Sequence, residues 1–242
     1  MVRIHRPEKR NALSVGLRVE LVRVLEELDA DASVRAIVLV GSEKVFAAGA
    51  DLAEILNAGA IDMMLRATDR LWAAIGRLNT PVIAGVRGLA LGGGFELALH
   101  ADMIVAGERA RFGLPEVKVG LMPGAGGTQR LTRIIGRQQT LMLTLTGDAL
   151  TAAEAYARNL VAMVVPDEQV EAEAAKLAAR IAAMPPLAVR QIREAVNGGA
   201  DCSLEAALMI ERKSLQLLCA SEDKHEGIQA LLEKRQPVFK GR

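Results

Sequence analysis

Leu91-Gly92-Gly93-Gly94-Phe95-Glu96-Leu97-Ala98-Leu99 lies between two short apolar runs, Pro81-Val82-Ile83-Ala84-Gly85-Val86 and Asp102-Met103-Ile104-Val105-Ala106. Each run has the length and residue types of a buried strand. The three glycines form a turn that opens a short helix carrying Glu96. Strand, glycine turn, helix and strand follow one another within about thirty residues, which is the signature of an α/β chain. The same stretch raises a chemical question, because a carboxylate among apolar residues is disfavoured by desolvation unless it is paired, hydrogen-bonded or protonated.

Outward from this segment the alternation continues. Apolar residues recur at three and four through Leu17, Leu21, Val24, Leu25 and Leu28, the spacing of an amphipathic helix. Ala36-Ile37-Val38-Leu39-Val40 reads as a buried strand, 45–52 as a small-residue turn and 61–78 as helical. A second glycine cluster, Pro123-Gly124-Ala125-Gly126-Gly127-Thr128, precedes a helical stretch over 129–135. The alanine-rich helix over 170–184 stops at Pro185-Pro186, which sets the expected boundary between a core at 1–184 and a helical segment at 185–242. Beyond it, 203–218 and 221–234 read as helices. Their apolar stripes, Leu204, Leu208, Leu215 and Leu218, then Ile228, Leu231 and Leu232, suggest a partner surface.

Composition excludes several classes. Thirty Lys and Arg against 29 Asp and Glu leave a net charge of +1, which gives no global attraction to nucleic acid or anionic membrane. Aromatics at 2% make base-stacking platforms improbable. Charged residues interrupt every long apolar run, so no membrane span is expected. Cys202 and Cys219 have neither CxxC spacing nor zinc-spaced histidines, and read as free or buried thiols of a reducing compartment. The first residues lack the marks of a signal peptide. The expected compartment is the cytoplasm, or the mitochondrial matrix if a leader has been removed.

Glu116, in Phe112-Gly113-Leu114-Pro115-Glu116, is a second carboxyl among apolar and chain-turning residues, and two such acids suggest paired acid/base chemistry. Ala48-Gly49-Ala50 and Gly93 expose main-chain N–H groups, which can hold a carbonyl oxygen where they converge. A dinucleotide site is disfavoured, because Gln129 stands where GxGxxG needs its third glycine. Turn formation alone is an equal reading for Gly124, Gly126 and Gly127. His5, His100 and His225 are scattered and read as structural. Met122, Met142 and Met163 read as core fillers or acyl-pocket lining, and GxSxG is absent.

Four motifs in order, 46–51, 90–98, 112–116 and 123–131, resemble those of the enoyl-CoA hydratase/isomerase family, the crotonases; with Leu145-Thr146-Gly147 and the Glu226-Gly227 to Arg235 ending, the resemblance spans nearly the whole chain. It implies a crotonase-type spiral of ββα units followed by a helical trimerisation segment, assembled as a trimer or dimer of trimers. It implies acyl-CoA thioester substrates, no metal, and no cofactor beyond the coenzyme A of the substrate itself. Glu96 and Glu116 match the family's two catalytic glutamates, and Ala50 and Gly93 its oxyanion-hole donors. Ala48, Asp51, Leu52, Gly92, Leu114, Gly124 and Lys234 match substrate-binding positions, Lys234 by reaching a neighbouring subunit's CoA.

Two glutamates favour an enoyl-CoA hydratase, a hydro-lyase adding water syn across a trans-2-enoyl thioester. An isomerase and a methylglutaconyl-CoA-type hydratase are the alternatives within enzymes, and an RNA-binding crotonase homologue is the alternative outside them. The chain departs from the family at Ala53, where many hydratases have a lysine near the CoA phosphates, and at Arg87, where Asn or Asp is frequent. The first strand is expected to be truncated or absent.

Overall fold

The computed structural model describes residues 1–242. Two sheets share the strands in a repeating fashion. One has β1 (Val2–Arg3), β2 (Ile37–Val40), β4 (Val82–Val86), β6 (Met103–Gly107) and β9 (Met163–Val165) in that order, all parallel. The other has β3 (Val45–Ala47), β5 (Leu89–Leu91) and β7 (Arg111–Gly113) in parallel, closed by antiparallel β8 (Ala149–Thr151). Each successive strand pair (β2–β3, β4–β5, β6–β7) gives one strand to each sheet, and a helical segment leads to the next pair. This is the spiral of ββα turns.

Burial explains the continuous apolar runs. Every residue of β2 and β4 is buried, as strands covered on both faces require. Phe46, Phe95 and Phe112, one from each of three turns of the spiral, are fully buried, and the Phe95 and Phe112 rings pack with centroids 5.5 Å apart. Helix α1 (Val15–Ala30) starts at Ser14, whose side chain accepts the Leu17 N–H. It buries Leu21 and Leu25 of the stripe read from the sequence, with Leu17 and Leu28 half-buried against the core, but Val22 rather than Val24 is the buried valine.

Two expectations need correction. The segment 45–52 is not simply a turn, since it contains β3; three residues are too few for periodicity, and pairing with β5 decides their conformation. The helical stretch over 61–78 is broken into α3 (Ala60–Leu65) and α4 (Thr68–Arg77), preceded by α2 (Leu52–Ile55), with Ala67 left-handed at φ 45° between them. Ile61, Met63, Met64 and Leu65 are exposed, so their apolar character did not report a buried face. The first strand is short, as expected: two residues that pair with β2 in parallel.

After α5 (Gly93–His100) come α6 (Gly127–Thr146), α7 (Ala152–Ala157) and α8 (Val170–Ala182). Helices α9 (Pro186–Gly199), α10 (Leu204–Leu218) and α11 (Glu222–Glu233) complete the chain. Leu204, Leu208, Leu215, Ile228, Leu231 and Leu232 are exposed on α10 and α11, and Leu218 is half-buried. Asp102 ties this segment to the core: it accepts the Val82 N–H at 2.8 Å and the Arg193 guanidinium of α9 at 2.5 Å. No helix is long and apolar enough to cross a membrane.

Candidate active site

Glycine lets α5 approach β3. A Cβ on Gly94 would stand 2.1 Å from the Ala47 carbonyl oxygen, so no other residue fits there without displacing backbone. That approach carries Gly93, the first helical residue, against the end of the β3 segment, where a Cβ on Gly93 would lie 3.5 Å from the Ala50 nitrogen. Neither the Ala50 nor the Gly93 N–H has an acceptor within the chain. Two free N–H donors from segments 43 residues apart in sequence thus meet, one of them at the positive end of a helix.

Both donors line a cavity of about 370 Å³, together with Glu96 and Glu116. Ala48, Leu52, Gly92 and Gly124 line it too, as the resemblance implies. Asp51, Leu114 and Lys234 do not. Asp51 pairs with Arg6 at 2.8 Å and caps α2 through Ala53 N, and the Arg6 hydrogen bond holds its carboxyl below the ordinary range. Leu114 is fully buried beside Glu96, where its Cδ1 would lie 3.1 Å from a Cβ on Gly127. Lys234 terminates α11 in a left-handed conformation. Met122 lines the cavity, Met163 packs against the buried cluster of Val38, Ile83, Val105 and Val170, and Met142 is exposed and does neither.

The two carboxyls have different surroundings. Glu96 is 3% exposed, and its Oε1 accepts N–H donations from Ala125 at 2.7 Å and Gly127 at 2.8 Å. Burial pushes the Glu96 carboxyl above its ordinary value, and the backbone N–H groups of Gly127, Ala125 and Gly124 oppose that rise. Glu116, on a short 3-10 turn over Pro115–Val119, is half-buried and its Oε2 has no partner. Burial raises it from 4.5 to about 7; a backbone hydrogen bond at Glu116 opposes the rise, and the nearby Glu96 charge adds to it. Oε1 of Glu116 lies 2.8 Å from where a Gly92 Cβ would stand, so a side chain at 92 would collide with the acid.

The sequence reads His100 as structural, and its surroundings in the fold give it a more specific task. His100, one helical turn after Glu96, is buried and stacks on Trp72 with centroids 5.5 Å apart. Arg130 reaches its Nδ1 at 3.1 Å, and Arg can only donate, so Nε2 carries the proton and donates to the Ala125 carbonyl at 3.0 Å. Burial, and then the Arg130 charge, lower the ring to about 4, so it is neutral at pH 7. The ring thus fixes the same peptide segment whose N–H groups hold Glu96. Its spacing of four from Glu96 was the available signal.

The whole chain, residues 1–242, matches the model of the enoyl-CoA hydratase/isomerase family. The chain belongs to that family. It is 43% identical over 242 residues to the 2,3-dehydroadipyl-CoA hydratase of Escherichia coli K12, covering all of this chain and 95% of the relative. It is 42% identical over 239 residues to a probable mitochondrial enoyl-CoA hydratase of Dictyostelium discoideum, covering 99% of this chain and 86% of that one. A crystal structure of enoyl-CoA hydratase subunit I from Geobacillus kaustophilus HTA426 superposes with a TM-score of 0.96 at 46% identity, covering 99% of this chain and 93% of the other. The Bacillus anthracis enoyl-CoA hydratase structure gives 0.95 at 37%, covering 99% and 94%. The crotonase fold inferred from the four motifs is the fold of this chain.

Proposed function

We propose that this family member is an enoyl-CoA hydratase, adding water reversibly and syn across the double bond of a trans-2-enoyl-CoA. The observation that carries the reading is one cavity presenting two partly desolvated carboxyls and two unpartnered N–H groups. The thioester oxygen is taken to sit between Ala50 N and Gly93 N. As the water oxygen bonds to the β-carbon, the π electrons move through the α-carbon to the thioester oxygen as an enolate, which each donor stabilises by ~3 kcal/mol.

Glu96 is assigned as the carboxylate that accepts the water proton, because two N–H donations to one oxygen favour its charged form. Glu116 is assigned as the acid that protonates the α-carbon, because its position near neutrality leaves it a proton to give at pH 7. The enolate electrons form the new C–H bond. Glu116 ends ionised and Glu96 protonated, and exchange with water resets both. Two acids on one cavity support hydration over double-bond isomerisation.

Relatives named as hydratases, one of them for 2,3-dehydroadipyl-CoA, support the acyl-CoA substrate. The exposed leucines of α10 and α11 support burial between subunits of a trimer or dimer of trimers; light scattering should report such assemblies, and a stable active monomer would remove that reading. Two exposed free thiols support a reducing compartment, the cytoplasm or the mitochondrial matrix. The deciding experiment is loss of enoyl thioester absorbance with a panel of trans-2-enoyl-CoA chains. Turnover with at least one chain is expected, and no turnover across the panel would reject the reading.

A further inference from the structure

The α1 wall of the cavity holds a cation that the hydration chemistry does not use. Arg18 lies one turn into α1 and lines the cavity beside the apolar Leu13, Ile55, Met63 and Trp72. It is half-buried and forms no ion pair, and its only side-chain hydrogen bond is a long one, 3.5 Å, from Nε to the Ser14 carbonyl. A guanidinium presents five donors in a planar fork, so most of its hydrogen-bonding capacity is unmet in a partly desolvated place.

The charges around Arg18 do not neutralise it. Glu54 is the acid that acts on it, but Glu54 Oε2 is taken by the Val15 N–H at 2.9 Å. Arg66, whose guanidinium donates to the Glu54 carbonyl at 2.9 Å, opposes Arg18 as a like charge. Two cations and one carboxylate leave this wall with a net positive charge. The other cation lining the cavity, Lys118, is exposed and lies over Gly147.

We infer that Arg18 binds an anionic group at the far end of the acyl chain, so that the preferred substrate is a trans-2-enoyl-CoA ending in a carboxylate, the monothioester of an unsaturated dicarboxylic acid. This rests on the hydratase reading above. A purely hydrocarbon tail would leave the guanidinium desolvated and unpaired, whereas a terminal carboxylate would satisfy two of its donors at once. Arg18 is then a specificity-determining residue on the α1 wall of the cavity, and it takes no part in the proton transfers.

The test compares hex-2-enoyl-CoA with hex-2-enedioyl-CoA, and the eight-carbon pair of the same kind, in hydration by the wild type, Arg18→Met and Arg18→Lys. The wild type should favour the dicarboxylic member of at least one pair in kcat/KM. In that pair Arg18→Met should lose about ten- to a hundredfold on the dicarboxylic substrate, mainly through KM, and equal or exceed wild type on the plain one. Arg18→Lys should recover part of the loss. An equal loss on both substrates, with weaker binding of free coenzyme A, would mean that Arg18 holds a CoA phosphate and would overturn the inference. No preference for the dicarboxylic member in either pair would also overturn it, while hydration of the plain substrates would leave the proposed function standing.

Discussion

Glu96 and Glu116 face one cavity from opposite kinds of support. Glu96 projects from a buried helix, and its Oε1 is held by two N–H groups of a segment that His100 in turn fastens. Glu116 projects from a 3-10 turn, half-buried, with one oxygen that nothing in the chain satisfies. Burial pushes both carboxyls up, so burial alone cannot divide their roles. Hydrogen bonding can: donors aimed at one carboxyl favour its anion, and an unpartnered oxygen on the other leaves a proton in place. The contrast teaches that one scaffold can hold one carboxyl with backbone donors and another by dehydration, the division on which the proposed base and acid roles rest.

The largest effect short of removing a carboxyl is expected at the N–H pair between them. Gly93→Pro deletes one donor at the first position of α5, a place where proline suits the helix, and should lower kcat by about 10²–10³ while coenzyme A binding changes far less. Circular dichroism checks the fold, and a folded variant with unchanged turnover would separate Gly93 from the reaction.

The support of Glu96 can be disturbed on its own. A Cβ on Gly127 would fall 2.9 Å from Glu96 Oε1 and 3.0 Å from its Cγ, so Gly127→Ala must shift the carboxyl by a few tenths of an ångström. Hydration should fall roughly tenfold at constant oligomer size. Unchanged kinetics would show that the site tolerates a displaced base.

The smallest effect concerns Glu116 and pH. Its folded value near 7 lies above the ordinary 4.5, so the native state binds the extra proton between those values and wild-type stability should decline as pH rises through that window, levelling above it. Glu116→Gln should lose that slope in denaturant titrations at pH 5 and pH 8. Over the same range, wild-type kcat/KM for hydration should fall above about pH 7, where the acid has lost its proton. Parallel stability curves for the two proteins would sink the claim that Glu116 is held protonated.

Much of this was legible in the chain. The buried strands 82–86 and 37–40, the glycine opening of α5 and the stripe of α1 follow from local pattern, because burial on both faces or on one stripe leaves its period in the residues. The pair Ala50 and Gly93 did not, since their meeting depends on Gly94 packing against Ala47 across two turns of the spiral; the motif resemblance supplied it instead. The break at Ala67 was invisible because an alanine in left-handed conformation carries no marker residue. The hold of His100 on the segment that supports Glu96 and the place of Arg18 on the cavity wall were hidden for a related reason: a ring or a cation on a helix shows what it meets only when the facing groups are known.

The most direct test of the central claim is a hydration assay of wild type, Glu96→Gln, Glu116→Gln and the double variant on one trans-2-enoyl-CoA. Glutamine keeps volume and hydrogen bonding, so binding and assembly should survive. If the two carboxyls act as a unit on one water, each single change should cut kcat by about 10²–10⁴, and the double variant should lose little more than the worse single. Near-normal hydration in either single variant, or losses that multiply in the double, would contradict the two-carboxylate account.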